Sequence, residues 1–391
     1  MSETARQRVL FISPQPYFQW RGSPIRVSFN MLALAELGYE VDLLCLPFGE
    51  DRHADRVRII RVANFGTLRD IPIGPSPWKL IFDFKLWRRA RQLIREQRYD
   101  FIHAVEDAGI FAPSLARRSQ ARFIFEKHSD PGSYRKRGLR NLVMAAYARL
   151  ETHAVKQADA VIGTGPALVA QAQAIAPDTP CHHIFDIASS LEEPVPERVA
   201  AIRDELQQQP DEVLITYVGS FAVYQGIDLL FDAIPLVIQQ KSQARFVIIG
   251  GTAAEIAERR RRLGSAADAV TFLGKISPDE LPNYLAASDV LLSSRIAGTN
   301  TPLKLLDYLK VGRCILATDN QANRLILDDD TARFVQPIPT DFADGLCALV
   351  DDPALRQRLA ARGQSLIRDT YNFDEFKRRL GEVYAGLGRF K

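Results

Sequence analysis

The chain has 391 residues, a formal net charge of +3, 47% hydrophobic residues and 25% charged residues. That length exceeds what one ordinary hydrophobic core supports and favours two domains. The composition suits a globular protein rather than a disordered or membrane-embedded one, and so small a charge does not by itself argue for nucleic acid.

The start, Met1–Ser13, lacks an apolar run long enough for a signal peptide, so a cytoplasmic protein is expected. Val9–Ser13, Val41–Leu46 and Val57–Val62 read as strands, with a helix Ile25–Leu37 stopped by Gly38. Further strands are Phe101–Val105, Phe123–His128 and Ala160–Gly163, and further helices Leu80–Gln97, Leu139–Gln157 and Ala167–Ala174. After a Glu/Pro-rich linker, Ser189–Pro196, and a polar helix up to Gln209, the pattern restarts. Strands Val213–Val218, Phe246–Ile249, Val270–Leu273 and Val290–Ser293 alternate with helices Ile227–Gln239, Ala254–Leu263 and Glu280–Ala287. Helices Pro353–Tyr371 and Phe373–Leu387 close the chain. Apolar strands alternating with amphipathic helices predict an α/β protein with two doubly wound, parallel-sheet, Rossmann-like halves and a cleft between them. The cysteines Cys45, Cys181, Cys314 and Cys347 have no metal-ligand spacing and read as free thiols in a reducing compartment.

Ligands in such sheets bind beyond the carboxyl ends of the strands, so the residues there carry the functional information. The most informative stretch is SSRIAGTNTPLKLLDYLKVGRCILAT, beginning at Ser293. A polar loop, Ala297–Thr301, runs into Pro302. A helical run, Leu303–Leu309, follows, Gly312 ends it, and a strand Cys314–Ala317 comes next. A helix N-terminus offers free N–H groups and partial positive charge to a phosphate. Lys304 adds a full charge in the first turn, and Asp307, one turn on, is placed to accept hydrogen bonds from sugar hydroxyls. Arg295 precedes this loop, and Lys275 follows the strand at Val270–Leu273. A phosphate cradle beside a hydroxyl-binding acid predicts a nucleotide sugar as ligand. In the first half, Arg21, Gly22 and Ser23 form a loop-to-helix anion site without the G-x-G-x-x-G fingerprint, which disfavours an NAD enzyme. Glu106 and His128 follow strands, whereas His103, within a strand, reads as a structural residue.

At these residues the chain resembles the retaining glycosyltransferases of family 4. The resemblance runs through RGSPIRVSFNMLALAELGYEVD, YDFIHAVED, FEKHS, YVGSFAVYQGIDLL, VTFLGKIS and TPLKLLDYLKVGRCILAT. It implies the GT-B fold, with an acceptor-binding domain at residues 1–190, a nucleotide-sugar-binding domain at 191–372, and a last helix, 373–391, crossing back to the first domain. It implies transfer of a sugar from a nucleotide-diphosphate sugar to a hydroxyl on a glycan, lipid or small molecule, in cell-envelope or exopolysaccharide assembly. Lys304, Arg295, Glu106 and His128 are then the expected catalytic residues. Gly22, Gly219, Ser220, Gln225, Lys275, Asn300, Thr301, Pro302, Leu303 and Asp307 are the expected donor-binding ones, with no cofactor and no metal.

The chain departs from the family pattern in several places. The first acid of E-x7-E falls at Thr299, and the second is Asp307 rather than Glu. Ser220 and Gln225 stand where the family has a phosphate-binding Arg and Lys, and Val105 where it has a histidine. Arg295 and Lys304 are expected to compensate for the lost charge, and the YQG and NTPLK variants are read as subgroup features. A nucleotide-sugar 2-epimerase of the same fold and a non-catalytic sugar-nucleotide-binding member are the alternatives.

One further pattern suggests where the acceptor resides. Over residues 78–98, Trp78, Phe82, Leu86, Ala90 and Leu93 form the expected core stripe, leaving Phe84 and Trp87 near Arg88, Arg91, Arg95 and Arg98. Arg135, Lys136, Arg137 and Arg140 add a second basic cluster. Aromatics beside cations suit peripheral contact with an anionic membrane.

Overall fold

The computed structural model describes residues 6–19, 22–50, 54–66, 68–69, 76–130, 139–298 and 301–388. Arg21, Arg135, Lys136, Arg137, Thr299 and Asn300 lie outside the described residues, as does the side chain of Arg140. The chain divides into two compact units, Met1–Asp186 with Phe373–Lys391, and Ile187–Asn372.

The first unit is built on seven parallel strands: β1 (Arg8–Pro16), β2 (Glu40–Leu46), β3 (Val57–Arg61), β4 (Phe101–Val105), β5 (Arg122–Lys127), β6 (Ala160–Gly163) and β7 (Cys181–His183), in the order β3-β2-β1-β4-β5-β6-β7. Its helices are α1 (Gly22–Glu36), α2 (Pro77–Glu96), α3 (Ala112–Ser119), α4 (Leu139–Gln157) and α5 (Pro166–Ile175). Val9 to Ile12 of central β1 have no exposed surface, as expected for a strand covered on both faces. Strand order reverses between β1 and β4, so this is the unit's switch point. The last helix of the chain, α13 (Phe373–Leu387), belongs to this unit, as the resemblance implied. It buries Phe376, Leu380, Val383 and Tyr384. Phe376 meets Phe29 of α1 with ring centroids 6.5 Å apart, and Tyr384 meets Tyr39 at 5.0 Å.

The second unit carries six parallel strands: β8 (Val213–Val218), β9 (Ala244–Ile249), β10 (Val270–Gly274), β11 (Val290–Ser293), β12 (Cys314–Thr318) and β13 (Arg333–Val335), ordered β10-β9-β8-β11-β12-β13. Its helices are α6 (Pro196–Leu206), α7 (Ile227–Gln240), α8 (Ala253–Leu263), α9 (Leu281–Ala287), α10 (Lys304–Lys310), α11 (Pro339–Asp351) and α12 (Pro353–Asp369). Order reverses between β8 and β11. The two doubly wound parallel sheets are those expected, but α3, α11, β7 and β13 were not foreseen. The two strands have three residues each and α3 eight, too short for a period to register. In α11 the interrupting Gly345 sits where a side chain would collide with Val335 and Leu316, so its absence is a packing requirement.

The stripe on α2 needs one correction. Phe82, Leu86, Ala90 and Leu93 are buried, but Trp78 is not in the core. It lies in the first turn, against Phe65 at 6.0 Å, and remains 42% exposed. No described helix is long and apolar enough to cross a membrane. Cys45, Cys314 and Cys347 are buried thiols and Cys181 is half-buried.

Candidate active site

In the second unit, the switch point between β8 and β11 gathers Lys304, Arg295, Gln225 and Ser294. The diverging ends of the two strands are held by Tyr308 of α10, whose hydroxyl accepts from Val218 N–H and donates to the Leu292 carbonyl, both at 3.3 Å. Beside it, Lys304 Nζ lies 3.4 Å from the Val218 carbonyl and 3.3 Å from Gln225 Oε1, over the Tyr217 ring at 4.7 Å. These are long bonds to neutral oxygens. Arg295 is buried, donates from Nε to the Ala297 carbonyl at 2.8 Å, and lies 5.7 Å from the centre of the Tyr224 ring. Neither cation forms an ion pair with a carboxylate among the described residues. Burial, then the charge of Arg295, push the Lys304 ammonium down to about 7. Burial also lowers the Arg295 guanidinium. Two mutually repelling cations with spare N–H donors form a site for an anion.

Local backbone chemistry fixes these side chains. Gly226 has φ +66°, and a Cβ there would collide with the Ser294 carbonyl, so only glycine lets the β8–α7 loop approach β11 so closely. Ser294 Oγ donates to the Gln225 carbonyl at 2.8 Å and Ile296 N–H to that of Tyr224 at 3.0 Å, which lock the loops together. Gly298, at φ +104°, leaves room for the Arg295 guanidinium. The Arg295 carbonyl accepts from Thr318 Oγ1 and, at 2.6 Å, from Asn320 Nδ2. Asn323 ties Ser293, at 3.0 Å, to the Thr318 carbonyl, at 2.8 Å. Thr318, Asn320 and Asn323 carry no motif, and only their position at or just after the end of β12 signals them.

The other expected donor residues are distributed around this centre. Gly219 and Ser220 follow β8, and the Ser220 carbonyl accepts from Tyr217 Oη at 2.9 Å. Thr301, Pro302 and Leu303 form the turn into α10, which begins at Lys304 rather than Leu303. Asp307 faces Ser189: Oδ1 accepts from Ser189 N–H at 2.6 Å, and Oδ2 from its hydroxyl at 2.8 Å. Burial raises the Asp307 carboxyl to about 6, against the lowering effect of those bonds and of Lys310. Lys275 is exposed at the end of β10, the edge strand two positions from β8, and is not gathered with Lys304 and Arg295.

In the first unit, Gly22 is the first residue of α1. Glu106 follows β4 with φ +50°, a left-handed conformation unusual for a residue with a Cβ. Its carboxylate accepts from His128 N–H at 2.5 Å and Ser129 Oγ at 2.9 Å, so it tethers the end of β5. The centre of this unit is a residue not singled out from sequence, Glu126. It is fully buried in β5 and receives Arg26, Asn30, His103 and His128. Burial alone would raise its carboxyl, but the Arg26 charge and the bonds from both histidines hold it well below the usual carboxylate range. The clue in the sequence was a glutamate inside an apolar strand, RFIFEK, where a charge needs partners. His103 is fully buried, stacked on Phe11 at 4.2 Å, as its position within a strand suggested.

Residues 22–183 match a family described as glycosyl transferase 4-like domain, and residues 212–352 one described as glycosyl transferases group 1. An alpha-D-kanosaminyltransferase of Streptomyces kanamyceticus is 29% identical over 195 residues, covering 48% of this chain and 50% of that protein. The chain spans about half the length of the curated relatives it matches. Sucrose-phosphate synthase from Thermosynechococcus elongatus superimposes with a TM-score of 0.75 at 22% identity, over 98% of this chain and 99% of that one. Anabaena HepE in complex with UDP-glucose gives 0.71 at 15% identity, over 97% and 100%. With both sheets matching their fold and both halves matching their sequence patterns, the chain belongs to the family 4 glycosyltransferases of GT-B fold.

Proposed function

We propose that the protein is a retaining glycosyltransferase that takes a sugar from a nucleoside-diphosphate sugar and places it on an acceptor hydroxyl. The observation that carries this reading is the pair Lys304 and Arg295, two cations at a sheet switch point without a carboxylate partner among the described residues. A diphosphate supplies the missing negative charge. Asp307, one turn along α10, accepts ribose hydroxyls once Ser189 yields its bonds. As the anomeric carbon–oxygen bond breaks, its electron pair passes to the leaving diphosphate, where Lys304 and Arg295 stabilise it. The acceptor oxygen forms the new bond on the same face and its proton passes to the leaving phosphate, giving retention. The names of the relatives support transfer of a sugar, and the UDP-glucose bound to HepE supports a nucleotide-sugar donor.

The pH dependence of binding tests the site. Lys304 in the ligand-free fold titrates near 7, against 10.5 for a free lysine. A bound diphosphate favours the ammonium, so binding above pH 7 takes up a proton. The affinity for UDP, used as probe, is expected to fall as pH rises from 7 to 9, by up to about tenfold per pH unit. The UDP phosphate itself ionises at about 6, is about nine-tenths ionised at pH 7, and its small remaining change opposes the expected fall. Calorimetry in buffers of different ionisation heats measures the uptake. An affinity that stays level across the range, with no uptake, would separate Lys304 from the diphosphate. Conversion of a sugar nucleotide to its epimer without an acceptor would favour the 2-epimerase instead.

A specific surface favours an acceptor borne by a membrane. The first half of α2 exposes Leu80 at 73%, Phe84 at 58% and Ile81 at 39%, beside Trp78, and its second half exposes Arg88 and Arg95. Apolar side chains next to cations suit the interface of an anionic bilayer. Sedimentation with phosphatidylglycerol vesicles at low salt is expected to recover the wild type. The double variant Leu80→Glu, Phe84→Glu is expected to bind at least about tenfold more weakly, since each side chain contributes on the order of 2 kcal/mol when buried. Equal recovery of both proteins, or of neither, would remove the membrane from the reading.

A further inference from the structure

The ladder between β11 and β12 stops at the pair Ser293 and Ala317. Beyond it the Arg295 carbonyl has no backbone partner among the described residues, and two side chains from the end of β12 reach it instead, Thr318 Oγ1 and Asn320 Nδ2. Their orientation is fixed by a closed set of neutral groups. Asn320 Oδ1 accepts from Asn323 N–H at 3.0 Å, so its NH2 must face Arg295. Asn320 Nδ2 also donates to Thr318 Oγ1 at 2.9 Å, and Asn323 Nδ2 lies 3.1 Å from the same oxygen. Both lone pairs of that hydroxyl are then in use, and its single hydrogen goes to the Arg295 carbonyl. Asn323 is itself held by Ser293 Oγ, which donates to its Oδ1 at 3.0 Å. Ser293, Thr318 and Asn323 have no exposed surface. Four uncharged side chains thus converge on one backbone oxygen.

What Arg295 carries gives this clamp a use. The residue is 7% exposed, its Nε donates to the Ala297 carbonyl, and no carboxylate pairs with it among the described residues. A desolvated cation without a counter-charge gains by turning out into water, and does so if its backbone yields. Two donors on its carbonyl remove that freedom before a ligand arrives. We propose that Thr318 and Asn320 are positioning residues of the donor site, which act through the Arg295 backbone and hold the guanidinium where an incoming diphosphate meets it. This rests on the reading of Arg295 as a diphosphate ligand given above. The rival is that the two side chains only satisfy a buried carbonyl. In that role they serve the fold and have no particular link to the Arg295 side chain.

The test is a set of double-mutant cycles on the intact chain, with inorganic diphosphate as the probe and its affinity measured by calorimetry. Asn320→Ala removes one donor and is expected to weaken the affinity about tenfold. That is less than the roughly 100-fold that a 1 Å misplacement of a reacting group can cost, because Thr318 still holds the carbonyl. Thr318→Val removes the other donor at nearly constant volume and is expected to do the same. Thr318→Ser restores the hydroxyl, and with it an affinity within about twofold of the wild type. In the Arg295→Ala background, where Lys304 remains to hold the probe, Asn320→Ala and Thr318→Val are each expected to change the affinity by less than about twofold, since nothing is left for them to position. Equal losses in both backgrounds would overturn the proposal in favour of the structural role. So would single variants that bind like the wild type, or a Thr318→Ser that binds as poorly as Thr318→Val. The two single variants remove different donors, so either one that keeps the wild-type melting temperature decides the matter. Arg295→Ala alone tests the reading underneath: if it binds diphosphate as the wild type does, Arg295 is not a diphosphate ligand, whereas a weak Arg295→Ala beside an unaffected Asn320→Ala removes only the clamp.

Discussion

Lys304→Ala is expected to lower kcat by roughly 100- to 1000-fold, the usual range for removing one preorganised donor from a developing oxyanion. The ammonium is worth this much because it is held before the reaction, close to the end of β8. The lysine is half-buried and has no counter-charge among the described residues, so little weakens its attraction to the leaving diphosphate. The ligand-free variant is expected to melt no lower than the wild type. The lysine is lowered to about 7 in the fold against 10.5 when free, so the folded state resists its charge. Between those two values the unfolded chain binds the extra proton, and stability rises with pH; the variant lacks this rise. Steady-state kinetics and a melting curve at pH 7 and pH 9 check both halves. A kcat within threefold of wild type would remove Lys304 from the transition state.

Gly226→Ala is expected to be the most damaging single-methyl change in the second unit. The residue lies at φ +66° and its missing Cβ would occupy the place of the Ser294 carbonyl. Backbone strain costs about 1–3 kcal/mol and overpacking against main chain a similar amount. The expected loss is therefore roughly 2–5 kcal/mol, with weaker UDP binding because the loop carrying Gln225 is pushed from Lys304. Gly386→Ala in α13, with open space around it, is the control and should be neutral or stabilising by up to ~1 kcal/mol. Equal melting temperatures for the two variants would show that the loop accommodates a side chain and that its closeness to β11 is not required.

Much of the fold is visible in the chain itself. Alternation of apolar strands with amphipathic helices specifies two doubly wound sheets, because a strand covered on both faces must be apolar throughout and its crossover helix apolar on one side. The TPLKLLDYL stretch announces itself for a related reason: its proline start, periodic leucines and glycine stop are all local. The same locality explains the omissions. Short α3, β7 and β13 carry too few residues for a period, and Trp78 matches the α2 stripe but falls in the first turn, beyond the core it would have entered.

The candidate site divides in the same way. Residue types and strand ends nominated Lys304, Arg295 and Asp307, since charges after strands are visible in one dimension. Strand order was not, and it is the order β9-β8-β11 that sets Arg295 and Lys304 beside Gln225. Nor could the chain tell that Ser189, 118 positions earlier, would occupy the Asp307 carboxylate. The Glu126 cluster likewise draws partners from α1 and β4, and reaches α13 through Tyr384, 281 residues from His103. Fold class, the two repeats and the chemistry at the strand ends depend on neighbours in the chain and are therefore written locally. Which charges are paired and which are left for a ligand emerges on folding alone. Burial and hydrogen bonding between distant segments set that balance, and neither has a sequence period.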